Sequence, residues 1–382
     1  MGNWKSTVML VLMLVAMQSF QAYSYGYLWL SIDCGATNTT FDEKLNRAWT
    51  TDNEFIGSGE NKLVSTSSSF PQMNTLRIFP SGIKNCYNLP LEKESKYLVR
   101  AGFYYGNYDN LKKPPAFGLE VQSGNINVNV LTSLSSDPIY HEFIITKKNA
   151  LDVCLIQTQN NQIPFISTLE VSSLDQRVYR LMNNSIALYL ESRINYGANQ
   201  SVPDRFPTYV DIYNRIWKPE EVSTSRNLSL GIGSTSWDTS ENNPPNVVLD
   251  SAIEANNVSE SIFLPINFRE KSLVSAYFVL YFDITPAYQE GEARRKVAIS
   301  IDGQLLNITR LLGIGRCVTV SIFPVIITGG TANLTNSPAE GATSPALLNA
   351  MEVFSVISSA DRVVGTFFGI SIVLFSWIAY WI

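Results

Sequence analysis

The residues best suited to ligand chemistry lie in the stretch FYYGNYD, residues 103–109. Flat aromatic rings pack against the C–H surfaces of a sugar, and amide or carboxylate groups hydrogen bond to its hydroxyls. The candidate ligand-binding residues are Tyr104, Tyr105, Asn107, Tyr108 and Asp109. The competing interpretation is packing and turn formation, because strand alternation sends the first two tyrosines to opposite faces and places at least one of them in the core.

Few other residues are suited to catalysis or to metal binding. His141 is the sole histidine, which leaves little scope for acid–base chemistry. Neither a G-x-S-x-G nucleophile elbow nor a C-x-x-C pair occurs. Glycoside hydrolysis needs only two carboxylates, and 33 acidic residues leave it open. We expect a protein that is not an enzyme, with no cofactor, no catalytic residues and no metal site.

The composition favours an extracellular β-rich protein. A chain of 382 residues usually forms two domains. Hydrophobic residues make up 45% and aromatic residues 12% of the chain, which favours a packed core built from strands. The net charge of −5 argues against a nucleic-acid partner, for which a basic surface would be expected.

The first 24 residues are typical of a secretory signal peptide. Lys5 precedes an apolar stretch over residues 7–17 that is too short to span a bilayer, and Ala22 and Ser24 supply small residues before a cleavage site. A signal anchor is the alternative, and the start MGNWKS also matches a myristoylation pattern. We expect export and cleavage after Ser24.

Modification sites and cysteines fit the secretory pathway. Seven N-x-Ser/Thr sequons predict surface glycosylation, at Asn38, Asn183, Asn199, Asn227, Asn257, Asn307 and Asn333. In an oxidising compartment some of the four cysteines should form disulfides. These candidates are Cys34, Cys86, Cys154 and Cys317, for which three full connectivities are open.

Four landmarks recur in the same order about 170 to 180 residues apart, which indicates an internal repeat. LNRAW is matched by YNRIW, and YLVRAGFYYGNYD by AYFVLYFDIT. GLEVQSGNINVNVL and AISIDGQLLNITRL both predict a β-hairpin, and IPFISTLEV is matched by PALLNAMEV. Trp49 and Trp217 stand at equivalent places and are expected to be core anchors.

The repeat predicts two tandem β-rich modules with an all-β fold. Module 1 covers residues 27–174, a linker covers 175–185, and module 2 covers 186–354. The linker is short and contains no Gly or Pro, so we expect the modules to pack together. Short strands with frequent turn signals predict a β-sandwich for each module.

The chain resembles the malectin-like extracellular domain of plant leucine-rich-repeat receptor-like kinases. The similarity covers nearly all of residues 29–354, in the stretches LSIDCGA, FIGSG, LRIFPSGIKNCYNLP, YLVRAGFYYGNYD, YHEFIITKKNALDVCLIQTQNNQIPFISTLEV, VDIYNRIW and SPALLNAMEV. This resemblance implies a pair of malectin-type β-sandwiches. It also implies a cell-surface recognition module, since animal malectin binds a glucose-containing oligosaccharide through loop aromatics and an Asp, and plant relatives are thought to sense cell-wall carbohydrate or secreted peptides.

The chain departs from the receptor pattern, because it has no leucine-rich repeats and neither the Gly-rich loop nor the H-R-D catalytic loop of a kinase. We therefore expect a membrane-tethered recognition module without kinase activity. Its partner would be a cell-wall glycan or a secreted peptide, and it would act as a co-receptor of a receptor kinase. The alternatives are an adhesion or structural glycoprotein and a truncated receptor-kinase gene product.

The C-terminal segment, residues 363–382, carries no charge and is long enough to span a bilayer as an apolar helix. Two readings of this tail are open. It is either a single-pass transmembrane helix or, after the small residues Ser358, Ser359 and Ala360, a GPI-attachment signal. In both cases the protein is expected at the extracellular face of the plasma membrane.

Overall fold

The computed structural model describes residues 29–43, 46–91, 94–122, 126–147, 149–202, 211–230, 241–283, 295–311 and 317–358. The predicted signal peptide and C-terminal tail lie outside these residues. Strands account for 54% of the structure and helix for 2%, so the expectation of a β-rich chain is confirmed. No helix in the described part of the chain is long and apolar enough to cross a membrane.

The first half of the chain forms strands of two kinds: Lys84–Pro90 alternates between exposed and buried positions, whereas Ser95–Phe103 and Thr168–Leu174 are buried at every position. A 3₁₀ turn lies at Pro71–Met73. The strands are β1 (Trp29–Asp33), β2 (Thr40–Asp42), β3 (Arg47–Thr51), β4 (Glu60–Leu63), β5 (Thr75–Ile78), β6 (Lys84–Pro90), β7 (Ser95–Phe103), β8 (Ala116–Val121), β9 (Ile126–Leu131), β10 (Ile139–Lys147), β11 (Ala150–Ile156), β12 (Phe165–Ile166) and β13 (Thr168–Leu174).

The second half contains the same two kinds of strand and adds one helical turn, α1 (Asn246–Leu249). Its strands are β14 (Ile186–Tyr196), β15 (Lys218–Glu220), β16 (Ser225–Ser229), β17 (Ser251–Ala255), β18 (Ile262–Asn267), β19 (Val274–Phe282), β20 (Lys296–Ile301), β21 (Gln304–Arg310), β22 (Val318–Ile327), β23 (Thr331–Pro338), β24 (Leu347–Leu348) and β25 (Ala350–Ser358).

One large sheet runs through both halves of the chain. Its order is β2-β3-β1-β13-β7-β10-β14-β25-β19-β22, with β15 paired to β14. The halves join where β10 pairs with β14, through Phe143 opposite Tyr189 and Ile144 opposite Leu188. The smaller sheets are β6-β11-β8-β9, β12-β5-β4, β16-β17-β24 and β18-β23-β20-β21.

Two apolar cores lie between the large sheet and the two four-stranded sheets. In the first, Val99 and Phe143 of the large sheet share a cluster with Leu119 and Val153 of β6-β11-β8-β9. In the second, Phe278 and Val353 share a cluster with side chains of β18-β23-β20-β21, such as Leu264, Ile299 and Leu334. The predicted hairpins β8–β9 and β20–β21 are both present, each at the edge of a four-stranded sheet.

A third cluster covers the opposite face of the large sheet at the junction of the halves. The connection 175–185 contributes Val178, Tyr179 and Met182, which are buried. They pack with Ile144 and Leu188 of the joining strands β10 and β14. This connection therefore packs three of its side chains into the interior.

A row of alternating charges crosses this junction on the same face. It contains four arginines and four carboxylates, all buried. The ion pairs, in order, are Arg47–Glu170 at 2.6 Å, Glu170–Arg100 at 3.4 Å, Arg100–Glu142 at 2.8 Å, Glu142–Arg193 at 2.6 Å, Arg193–Glu352 at 2.5 Å, Glu352–Arg215 at 3.9 Å and Arg215–Asp211 at 2.9 Å. Although burial alone raises the pKa of Glu142, the flanking Arg193 and Arg100 lower it below the usual value.

The repeated N-R-x-W motif supplies Arg47 at one end of this charge row and Arg215, the partner of Asp211, at the other. Asn46 and Asn214 each adopt a left-handed backbone, with φ of 47° and 56°, a conformation that asparagine tolerates better than most residues. The arginine that follows each of them pairs with the glutamate of TLEV (Glu170) or AMEV (Glu352). Trp49 and Trp217 are buried, which confirms that they are core anchors.

Candidate functional site

The candidate ligand-binding residues lie on the connection that leaves β7 and enters β8. Gly106 has φ of +48°, and a Cβ at this position would lie 2.5 Å from the Val64 side chain. The Gly106 carbonyl accepts hydrogen bonds from the backbone N–H groups of Ser65 and Thr66, both at 2.9 Å. This close approach requires glycine. It holds the β7–β8 connection against the β4–β5 connection.

Hydrogen bonds within the β7–β8 connection engage the polar groups predicted to meet a ligand. Asp109 Oδ1 accepts from the Tyr105 hydroxyl at 2.5 Å and from the Leu111 N–H at 3.0 Å. Asn107 Oδ1 accepts from the Lys112 N–H at 2.9 Å. The Tyr104 hydroxyl donates to the Thr66 carbonyl at 3.1 Å. These side chains hold the loop in shape.

The two leading tyrosines are interior residues. Tyr104 and Tyr105 are each 2% exposed, so neither ring offers a flat face to solvent. Burial, followed by the hydrogen bond to Asp109, raises the pKa of Tyr105 to about 12. Tyr108 is half-buried and packs edge-on against Tyr105 and Phe165. The expectation that at least one tyrosine is core is confirmed, and ligand contact by the half-buried Asn107, Tyr108 and Asp109 stays a prediction.

Sequence reasoning did not single out the side chains that this region exposes. Leu111 is 65% exposed, and Lys112 and Lys113 beside it are also exposed. Residues 65–67 and 69–70 of the adjoining connection present Ser, Thr, Ser, Ser and Phe side chains. The Ser65 hydroxyl donates to Asn110 Oδ1 at 3.0 Å, which ties the two connections together. In the sequence, the only indication of this exposed surface is the Ser-rich run STSSSF, a composition that is typical of a loop.

His141 lies in a different environment from this surface. It is a buried residue of β10, and its Nδ1 lies 2.7 Å from the Tyr189 hydroxyl. Burial, and then the charge of Arg269, lowers its pKa to about 3. The ring is therefore neutral across the physiological range. No group of His, Cys, Asp or Glu side chains in the described ranges is arranged to hold a metal ion.

The predicted modification sites fall in two groups. Six sequon asparagines are exposed, whereas Asn307 is half-buried. The Oδ1 atom of Asn307 is buried without a hydrogen-bond partner among the described residues. Of the cysteine candidates, Cys86 and Cys154 form a disulfide across the directly paired strands β6 and β11. Cys34 and Cys317 are free thiols.

Cys34 belongs to a buried polar cluster at the start of the first half. Arg77 holds Asp52 through two hydrogen bonds of 2.6 Å, and the Tyr87 hydroxyl donates to Asp52 at 2.9 Å. The neighbouring Asp33 accepts a hydrogen bond from the Thr75 hydroxyl. Burial, opposed by this hydrogen bond and reinforced by the charge of Asp52, raises the pKa of Asp33 to about 7.

This elevated pKa predicts a measurable pH dependence of stability. The folded state retains the Asp33 proton to about pH 7, whereas the unfolded chain releases it near pH 3.8. Its contribution is therefore present at low pH and is lost as the pH rises through about 7. Relative to Asp33→Asn, the wild type should lose about 2 kcal/mol of unfolding free energy between pH 5 and pH 7. Urea denaturation at each pH measures this difference.

The paired comparison also cancels the opposite contribution of His141. Its lowered pKa costs stability as the pH falls below 6.5, but it does so in both proteins. Parallel pH profiles for the wild type and the Asp33→Asn variant would contradict the assignment.

Comparison with known sequences places almost the whole chain in one family. The malectin-like domain matches residues 32–356. An uncharacterised protein of Arabidopsis thaliana is 32% identical over 343 residues, which cover 88% of this chain and 66% of that protein. An Arabidopsis thaliana leucine-rich repeat receptor-like serine/threonine-protein kinase is 30% identical over 86% of this chain and 38% of the kinase. The chain thus spans about two fifths of the length of that kinase.

Solved structures with the same fold are extracellular domains of plant receptor-like kinases. The ANXUR2 extracellular domain of Arabidopsis thaliana superposes with a TM-score of 0.70 at 16% identity, covering 87% of this chain and 97% of that one. The structure of the plant peptide RALF23 in complex with FER and LLG2 contains a chain with a TM-score of 0.69 at 17% identity, covering 87% and 96%. Both likenesses concern the fold. The domain match over residues 32–356 leads to one conclusion: this chain belongs to the malectin-like family.

Proposed function

We propose that this protein is an extracellular recognition module that binds a cell-wall glycan or a secreted peptide and has no catalytic activity of its own. The observation that carries the proposal is the malectin-like match over residues 32–356, together with a relative that is a receptor-like kinase. The RALF23 complex with FER and LLG2 supports a peptide ligand and a co-receptor role.

The exposed part of the loop surface favours an acidic carbohydrate among these ligands. Lys112 and Lys113 are exposed, and within the described residues neither forms an ion pair. They follow the exposed Leu111 and Asn110 in sequence, and the Asn110 side chain accepts a hydrogen bond from the Ser65 hydroxyl. Ammonium and hydroxyl donors next to an apolar side chain match the carboxylates, hydroxyls and C–H faces of an oligogalacturonide. We call residues 65–70 and 110–113 the loop surface.

The remaining architecture and location are part of the same proposal. The two cores and the recurring N-R-x-W ion pairs support two tandem malectin-type β-sandwiches. Residues 1–24 would direct secretion, and residues 363–382 would tether the protein to the plasma membrane as a single-pass helix or through a GPI anchor. The module would then report ligand binding through an associated receptor kinase.

Binding of an oligogalacturonide should require the loop surface. Calorimetry on the purified protein should show binding that weakens at least tenfold, about 1.4 kcal/mol, in the double variant Lys112→Gln/Lys113→Gln. The matched control Lys218→Gln/Lys296→Gln removes the same charge from strands β15 and β20 and should bind as the wild type does.

Other outcomes of the same titration discriminate among the alternatives. A neutral cell-wall oligosaccharide and the RALF23 peptide serve as parallel probes. Self-association without binding of any probe would favour the adhesion role. The absence of binding to every wall polymer, peptide and receptor ectodomain would overturn the recognition proposal. Hydrolysis of an oligosaccharide, abolished by one Asp or Glu substitution, would show an enzyme instead.

A further inference from the structure

The outer face of the sheet β18-β23-β20-β21 combines a sequon with exposed apolar side chains. In β18, Ile262, Leu264 and Ile266 point into the second core, so Phe263 points outward and is 61% exposed. On the far side of the sheet, Leu305 and Ile308 of β21 are 53% and 50% exposed. Large apolar side chains that share one solvent-facing side of a sheet indicate that another molecule or an attached group covers them.

Asn333 lies between these apolar side chains on the same outer face. In β23, the inward residues are Ala332 and Leu334, so Asn333 and Thr335, the two sequon residues that matter chemically, both face outward. Thr335 is directly opposite Phe263 in the register, and Asn333 is opposite Pro265. Asn333 and Phe263 are therefore a diagonal cross-strand pair, about 7 Å apart and within reach of an aromatic side chain.

Small side chains lie on the outer face between Phe263 and Leu305. Thr335 is opposite Ser300 in β20, and Ser300 is opposite Leu305 in β21. The row from Phe263 to Leu305 crosses three strand spacings, about 14 Å. This width accommodates a pyranose ring whose C–H surface packs against the Phe263 ring.

The backbone of Asn333 is fixed while its side chain is available. Its N–H donates to Asp302 Oδ1 at 2.8 Å, and its carbonyl accepts from the Asp302 N–H at 3.0 Å. Among the residues that the structure describes, the side-chain amide of Asn333 has no hydrogen-bond partner. The Asn257 amide, by contrast, donates to Glu260 Oε1 at 2.5 Å in its own turn.

We propose that an N-linked glycan on Asn333 packs its first N-acetylglucosamine against Phe263 and covers the apolar outer face of this sheet. In the attachment step, Asn333 Nδ2 bonds to the anomeric carbon of a polyprenyl-pyrophosphate-linked oligosaccharide. The bond from that carbon to the pyrophosphate oxygen breaks, Nδ2 loses one proton, and the polyprenyl pyrophosphate leaves. The inference rests on the proposed passage through the secretory pathway and is independent of ligand binding at the loop surface.

A double-mutant cycle on the full chain, secreted from a eukaryotic host, tests the contact. Peptide mass spectrometry should find Asn333 occupied. In that glycosylated background, Phe263→Ala should lower the Tm by about 2–4 °C. In the Asn333→Gln background, the same substitution should leave the Tm within 1 °C or raise it, because the exposed ring then has no partner.

A second sequon provides the matched control. Asn257→Gln removes a turn sequon and should leave the effect of Phe263→Ala unchanged. An unmodified Asn333, or equal Tm shifts from Phe263→Ala with and without its glycan, would overturn the proposal. Occupancy and Tm are measured without any ligand, so failure here is distinct from failure to bind an oligosaccharide.

Discussion

Replacing Glu352 with glutamine should lower the free energy of unfolding by about 3–5 kcal/mol, because it leaves the buried charge row with one positive charge in excess. The Glu352 carboxylate lies 2.5 Å from Arg193 Nε and 3.9 Å from Arg215 Nη1. It also accepts hydrogen bonds from the hydroxyls of Tyr179 and Tyr281, at 2.8 and 2.6 Å. Glutamine keeps the volume and removes the charge. Equilibrium denaturation in urea measures the loss.

An exposed ion pair provides the matched control for this substitution. Glu60 lies 3.0 Å from Lys62, with side chains 56% and 42% exposed. Solvent screens such a pair, so Glu60→Gln should cost less than about 1 kcal/mol. The neutral pair Glu352→Met/Arg193→Met should recover part of the loss, because no charge is then left alone. A cost below 1 kcal/mol for Glu352→Gln would show that the charge row contributes little to stability.

Removing the Cys86–Cys154 disulfide should destabilise the protein by about 4 kcal/mol, because the unfolded chain regains the entropy of a long loop. The two cysteines are 68 residues apart in sequence and lie directly opposite each other in β6 and β11. The variant Cys86→Ala/Cys154→Ala tests this by thermal or chemical denaturation.

Reduction of the wild type supplies the control for the disulfide prediction. In a strong reductant, the wild type should approach the stability of the double alanine variant, whereas the variant itself should not change. The free thiols Cys34 and Cys317 are present in both proteins and cancel. A gap between the two proteins that persists after reduction would assign the loss to packing rather than to the cross-link.

Much of the secondary structure was readable from local pattern. Alternating apolar residues predicted the hairpins β8–β9 and β20–β21, because side chains on a strand alternate between faces with period two. The pairs LNRAW and YNRIW, and TLEV and AMEV, were recognised as repeats. Their meaning, a buried Arg–Glu pair in each half, appears only when strands distant in sequence are brought together.

The local sequence pattern does not show which strands pair with each other. The stretch HEFIITKKNALDVCLIQTQ forms two consecutive strands. The first strand, β10, joins the large sheet, whereas β11 joins the four-stranded sheet opposite. A sequence stretch shows which residues alternate, but the pairing partner is chosen by the burial of whole faces.

At the candidate site, too, the sequence pattern identified the residues and the tertiary structure decided which of them are exposed. Aromatic and polar residues in FYYGNYD fit two interpretations, a ligand loop or packing and turn formation. Tertiary contacts with residues 64–66 and with Phe165 bury Tyr104 and Tyr105, whereas the Asp109 carboxylate is held within the loop by the Tyr105 hydroxyl. The exposed Leu111, Lys112 and Lys113 carried no signal of their own, because exposure is a property of the neighbouring chain.

By itself, the sequence determined the β-rich class, the internal repeat, the family and the positions of cysteines and sequons, since these depend on residue type and spacing. Only the tertiary structure decided that one sheet crosses both halves, that Cys86 and Cys154 pair while Cys34 and Cys317 do not, and that Asn333 lies beside Phe263. The physical reason is that each of these depends on strand register between residues far apart in the chain. Between strands far apart in sequence, register is set by which complete sheet faces must be buried, because a one-residue slip would turn every apolar side chain to the other face.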